Sequence, residues 1–113
     1  MTTVEELESM FDRLTSEARG LIKIKGMDYT RTQQLQGDTL FNMKVSKLLG
    51  ITDTTTQGVL TRLGDKFMRL ISLTKDPNAE AAVKDEKVED TIKDAINYLV
   101  YLYVLWLEER DGN

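Results

Sequence analysis

The C-terminal segment places the strongest constraint on what this chain can fold into. From Asp85 it reads "DEKVEDTIKDAINY" and runs without a break into "LVYLYVLWL". The expected helix, from near Asp85 to about Glu109, is apolar nearly all round beyond Ala95, and such a helix must be buried on several sides. A chain of 113 residues is one domain that buries roughly two-thirds of its unfolded surface, and it struggles to cover that helix alone. A second subunit is therefore expected on the last helix. Tyr98, Tyr101, Tyr103 and Trp106 suit an interface, where an aromatic body is buried and a polar tip keeps a hydrogen bond. The alternative is the central helix of a monomer.

Three more helices are expected before it. Thr3 and Glu6 have capping-box spacing, and Val4, Leu7, Phe11, Leu14, Ala18 and Leu21 then recur at steps of three and four, a core-facing or coiled-coil-like seam. The pattern fades in "IKIKGMDYTRTQQLQG", which predicts an irregular connection. A second helix is expected from an Asp38 cap to Gly50. "ITDTTTQG" reads as a turn rich in capping residues. The third helix follows and stops at "KDPN", because proline cannot continue it. "AEAAVK" fits either a helical turn or a loop. No strand alternation stands out, so the expected class is all-α, a four-helix bundle-like domain over residues 1–113.

Composition removes several chemistries. With no cysteine there are no disulfides, thiolate nucleophiles or sulfur metal sites. With no histidine the commonest general base and zinc ligand are missing. A metal would be held by oxygen, which favours magnesium, manganese or calcium. The net charge of -4 argues against duplex nucleic acid as a partner, though a few local cations could hold a small anion. The apolar run Ala95–Leu107 is shorter than the about 20 residues that cross a bilayer. No secretory signal is evident, and a cytoplasmic domain is expected.

Within the last helix, Glu86, Asp90, Asp94, Asn97 and Tyr101 share a stripe under about 90° wide at 100° per residue. Asp85, Glu86, Glu89 and Asp90 complement the helix dipole in the first turns, and Glu89 can pair with Lys93. Asp94 escapes both accounts, being past the first turn and without a basic residue three or four positions away. In the third helix Arg62, Asp65, Lys66 and Arg69 share a polar face. By geometry alone both sets read first as solvated surface, where charge runs usually lie. They also fit a groove in which Arg and Lys meet phosphate and carboxylates hold a cation.

Three blocks resemble the nucleotide modification associated domain 1 family, frequent in bacteriophages. Lys25, Gly26, Asp28 and Tyr29 match its "K-G-x-D-Y" element; Asp65, Lys66 and Arg69 match "D-K-x-x-R"; Glu86, Asp90, Asp94, Asn97 and Tyr98 match "E-x-x-x-D-x-x-x-D-x-x-N-Y". The resemblance implies a role in nucleotide metabolism or modification. A looser likeness is to the all-α nucleoside triphosphate pyrophosphatases, which hold magnesium on helix-borne carboxylates within oligomeric bundles. Their "E-E-x-x-E" element has no counterpart in a suitable place, since "EELE" at Glu5–Glu8 has the wrong spacing.

The expected function is binding of a nucleotide or nucleotide-like phosphate compound. Lys66, Arg69 and Arg62, with Lys25 or Arg31, would neutralise phosphate. Glu86, Asp90 and Asp94 would hold magnesium or accept from ligand hydroxyl and amino groups, and Tyr29, Tyr98 or Tyr101 would stack on a base. With magnesium, the same site could hydrolyse a phosphoanhydride, a carboxylate serving as base. A second expectation keeps the pocket and drops the reaction: a sponge that sequesters a host antiviral nucleotide signal. A third is a helical protein-interaction module acting through the first seam and the aromatic last helix.

Overall fold

The computed structural model describes residues 1–33, 40–75 and 80–112, the side chains of 25–33, 81 and 82 excepted. Helix α1 spans Val4–Gln33, a 3-10 turn Phe41–Lys44 leads into the short α2 Val45–Leu48, α3 spans Thr55–Lys75, and α4 spans Ala81–Asp111. The fold is all-α and bundle-like, with no strand among the described residues. None of the described helices is long and apolar enough to cross a membrane.

Local chemistry sets most helix boundaries. Thr3 Oγ1 accepts from the Glu6 amide at 3.1 Å at the start of α1. At α3, Thr54 Oγ1 accepts from the Gln57 amide at 3.1 Å while Gln57 Oε1 accepts from the Asp53 and Thr54 amides at 2.9 and 3.3 Å. That reciprocal pair is a capping box. Helix α2 closes on Gly50 at φ 75°, where the Gly50 and Ile51 amides donate to Lys47 and Ser46 carbonyls at 3.0 and 2.9 Å. This is a Schellman motif, which needs the left-handed conformation that glycine adopts cheaply. Gly112, at φ 76°, ends α4 in the same region.

Three boundaries differ from expectation. Helix α1 does not fade at Leu21 but continues to Gln33: each glycine costs a helix only about 1 kcal/mol, and each added residue gains a hydrogen bond. The expected second helix is a 3-10 turn plus one α-turn, and its Asp38 cap lies outside the described residues. Helix α4 begins at Ala81, so "AAVK" belongs to it.

The core sits where the 3-10 turn meets the α3–α4 hairpin. Met43, Val59 and Leu105 are buried together, with Leu40, Tyr98, Tyr101 and Leu102 packed around them. A Cβ on Gly58 would stand 3.1 Å from that of Ser46, so glycine lets α2 lie close against α3. Helix α1 runs alongside α4 in the same direction, Arg13 meeting Glu89 and Ala18 meeting Asn97. Of its seam only Ala18 is fully buried, while Val4, Leu7 and Phe11 are exposed.

Candidate functional site

The antiparallel register of α3 and α4 decides which polar groups meet, placing Thr55 beside Glu109 at one end and Lys66 beside Asp94 further along. Lys66 Nζ and Asp94 Oδ2 form an ion pair at 3.2 Å, with 27% and 24% of the two side chains exposed. The ammonium lies 5.8 Å from the Tyr98 ring centroid, within the range of a cation–π attraction. Tyr98 in turn meets Tyr101 edge-on at 5.9 Å. One turn before Lys66, Arg62 Nη2 donates to the Asn42 carbonyl at 3.4 Å. Arg62 therefore ties the 3-10 turn to α3 and would have to leave that carbonyl to meet a phosphate. Asp65 and Arg69 are exposed on α3.

The acidic stripe of α4 grades from solvent to interior. Glu86 and Asp90 are exposed, Asp94 is half-buried and Asn97 is buried. The Asn97 Nδ2 donates to the Ala18 carbonyl at 2.9 Å, so the amide expected to touch a ligand is engaged in holding α1 against α4. Glu86, Asp90 and Asp94 sit one turn apart along a single helix. No group of three or more carboxylates that could hold a metal ion is assembled among the described residues. The expected magnesium ligands therefore do not fit that ion as a set. Lys25, Asp28, Tyr29 and Arg31 lie on the C-terminal part of α1, and their side chains fall outside the described residues.

Three polar clusters went unnoticed in the sequence. The Glu109 carboxylate accepts from the Thr55 amide at 2.5 Å, from the Thr55 hydroxyl, and from the Thr56 hydroxyl at 3.1 Å. Burial pushes the Glu109 pKa up, but these hydrogen bonds outweigh it and hold the group below its ordinary value. At the α1–α4 contact, Arg13 bridges Glu89 at 2.6 Å and Glu17 at 3.2 Å, and Lys93 bridges Glu17 at 2.9 Å. Hydrogen bonding from Lys93 lowers the Glu17 pKa, and hydrogen bonding from Arg13 lowers that of Glu89. Lys44 pairs with Glu108 at 3.1 Å. Of these contacts the Glu89–Lys93 pair, at 3.8 Å, and the Arg13–Glu17 pair had an i,i+4 signal in the sequence, because the partners share a helix, and only the first was read from it.

Two apolar hollows are described, and neither is lined by Lys66 or Asp94. One, of about 560 Å³, lies along Leu7, Met10, Phe11 and Leu14 of α1. The other, of about 310 Å³, lies between α3 and α4 against Leu60, Leu99, Tyr103 and Trp106. No family model, curated protein or solved structure matches the chain.

Proposed function

We propose that the chain binds a small nucleotide-like phosphate compound where α3 faces α4, with Lys66 neutralising phosphate, Asp94 accepting from ligand hydroxyl or amino groups, and Tyr98 offering an aromatic face. The observation that carries this reading is the half-buried Lys66–Asp94 pair beside the Tyr98 ring. A lysine ammonium on a flexible stem can exchange a carboxylate for a phosphate, and partial burial strengthens either contact. The resemblance of Asp65, Lys66, Arg69, Asp94 and Tyr98 to the nucleotide modification associated family supports the same ligand class. By that resemblance, Lys25, Asp28 and Tyr29 would complete the site from α1, with Arg31 as a further cation beside them.

We favour binding without turnover, as sequestration of a nucleotide signal; with no histidine in the chain, hydrolysis at this site would call for a carboxylate as base. Calorimetric titration with mononucleotides, cyclic nucleotides and ADP-ribose, alongside phosphorus NMR with magnesium, tests both. Saturable binding with intact ligand is expected, and Lys66→Ala should weaken it roughly tenfold or more. Affinity indifferent to Lys66→Ala, or no binding at all, defeats the site; turnover with magnesium defeats the sponge.

A further inference from the structure

The hairpin of α3 and α4 presents an apolar face that its own chain leaves open. Leu60, Gly64, Phe67 and Ile71 fall within roughly 60° of one another on α3, as do Leu99, Tyr103 and Trp106 on α4. All are exposed, among them Leu60 at 49%, Phe67 at 48%, Leu99 at 49% and Tyr103 at 61%. Monomeric soluble proteins rarely leave so continuous an apolar patch uncovered. The accessible surface of 8176 Å² is about 1,900 Å² more than a folded monomer of this mass exposes. The exposed α1 seam of Val4, Leu7 and Phe11 shares in that excess with this face, and the roughly 800 Å² per partner that a stable interface takes is well within it.

We propose that this face is the two-fold interface of a homodimer, in which two α3–α4 hairpins pack into an intermolecular four-helix bundle. Two helices side by side with one apolar face are half of such a bundle, and the α3–α4 groove can take a ridge of the facing helices. The face is apolar except at its Trp106 end, where the Arg110 guanidinium lies 5.2 Å from the Trp106 ring centroid, so it offers little to an acidic or basic partner, whereas a second copy matches it in area and polarity. Gly64 supplies an independent reason. A glycine inside a helix is costly relative to alanine, yet a Cβ there would meet nothing within 4 Å in the single chain. The missing side chain leaves room there for a facing helix to approach closely. Segments 34–39 and 76–79, "QLQGDT" and "DPNA", are short and mostly polar, so they bring little apolar area to cover the face.

Sedimentation velocity of the full chain should show a dimer at tens of micromolar. Leu99→Asp or Leu60→Asp should weaken it roughly 30-fold or more, the effect of removing a central anchor. Gly64→Ala should act in opposite senses, making the isolated chain harder to melt while loosening the dimer. Should the charged variants fail to fold, single cysteines at Leu60, Leu99 or Tyr103 decide the matter, because the chain has no cysteine of its own. Mild oxidation should link at least one of them to its own copy, as residues near a two-fold axis approach themselves, while Phe11→Cys on α1 should stay unlinked. A monomer at these concentrations, a monomer that instead binds lipid vesicles, or a dimer linked only through Phe11→Cys overturns the proposal.

Discussion

Two carboxylates of α4 show how differently one helix can use the same chemical group. Glu109 accepts from backbone amides and hydroxyls at the opening of α3, donors held in place by the helix they begin. Asp94 meets Lys66, whose ammonium sits at the end of a flexible stem. The first arrangement has little freedom to change partners and works as a fastening. The second can trade one anion for another at small cost, which a binding site requires. Both are partly buried and both lie at the α3–α4 contact, so the mobility of the donor separates them.

The largest effect should come from removing the fastening. Glu109→Ala leaves the Thr55 and Thr56 donors without their acceptor and should cost about 2 kcal/mol in urea unfolding, as for a lost charged hydrogen bond at a helix start. Asn97→Ala should cost about 1 kcal/mol, since the buried bond from its Nδ2 to the Ala18 carbonyl, which ties α1 to α4, is lost. Acid should act on Glu109 next, as it does on Glu17 and Glu89, whose pKa values are also depressed. Its folded pKa is depressed, so its contribution is complete above the unfolded carboxylate range and disappears as pH falls through the lower folded value. Glu109→Gln should therefore flatten part of the acid limb of stability, measured from neutral pH to below pH 4 or so. The smallest change should follow Lys66→Met, within about 1 kcal/mol of wild type in stability, even though the same position governs ligand affinity. A large loss of stability at Lys66 with none at Glu109 would invert the contrast.

The fold was legible where its determinants are local. The Thr3 cap, the Gly50 stop and the Glu89–Lys93 pair all act within a turn or two, and sequence spacing exposes them; the proline expected to stop α3 lies outside the described residues. Helical angles alone also marked Asp94 as a carboxylate that local pairing leaves unexplained. The partner of Glu109 depends on the register of two antiparallel helices, which no spacing within either one encodes. Asn97 looked like part of a solvated stripe because the helix that buries it is 79 residues away in sequence. The first seam shows a related limit: periodicity says that Leu7 and Phe11 share a side, not whether the same chain covers it.

The contacts that hold α1 join residues 76 and 79 positions apart, whereas those between α3 and α4 close shorter loops, 28 positions for Lys66 and Asp94. Closing the longer loop carries the greater entropic penalty, and little apolar area beyond Ala18 rewards it. Helix α1 should accordingly dock last during folding and detach first from the native state. Deuterium uptake by native-state hydrogen exchange should be faster along Glu5–Ala18 than along Val59–Phe67. If the two segments exchange together, the molecule opens as a single cooperative unit.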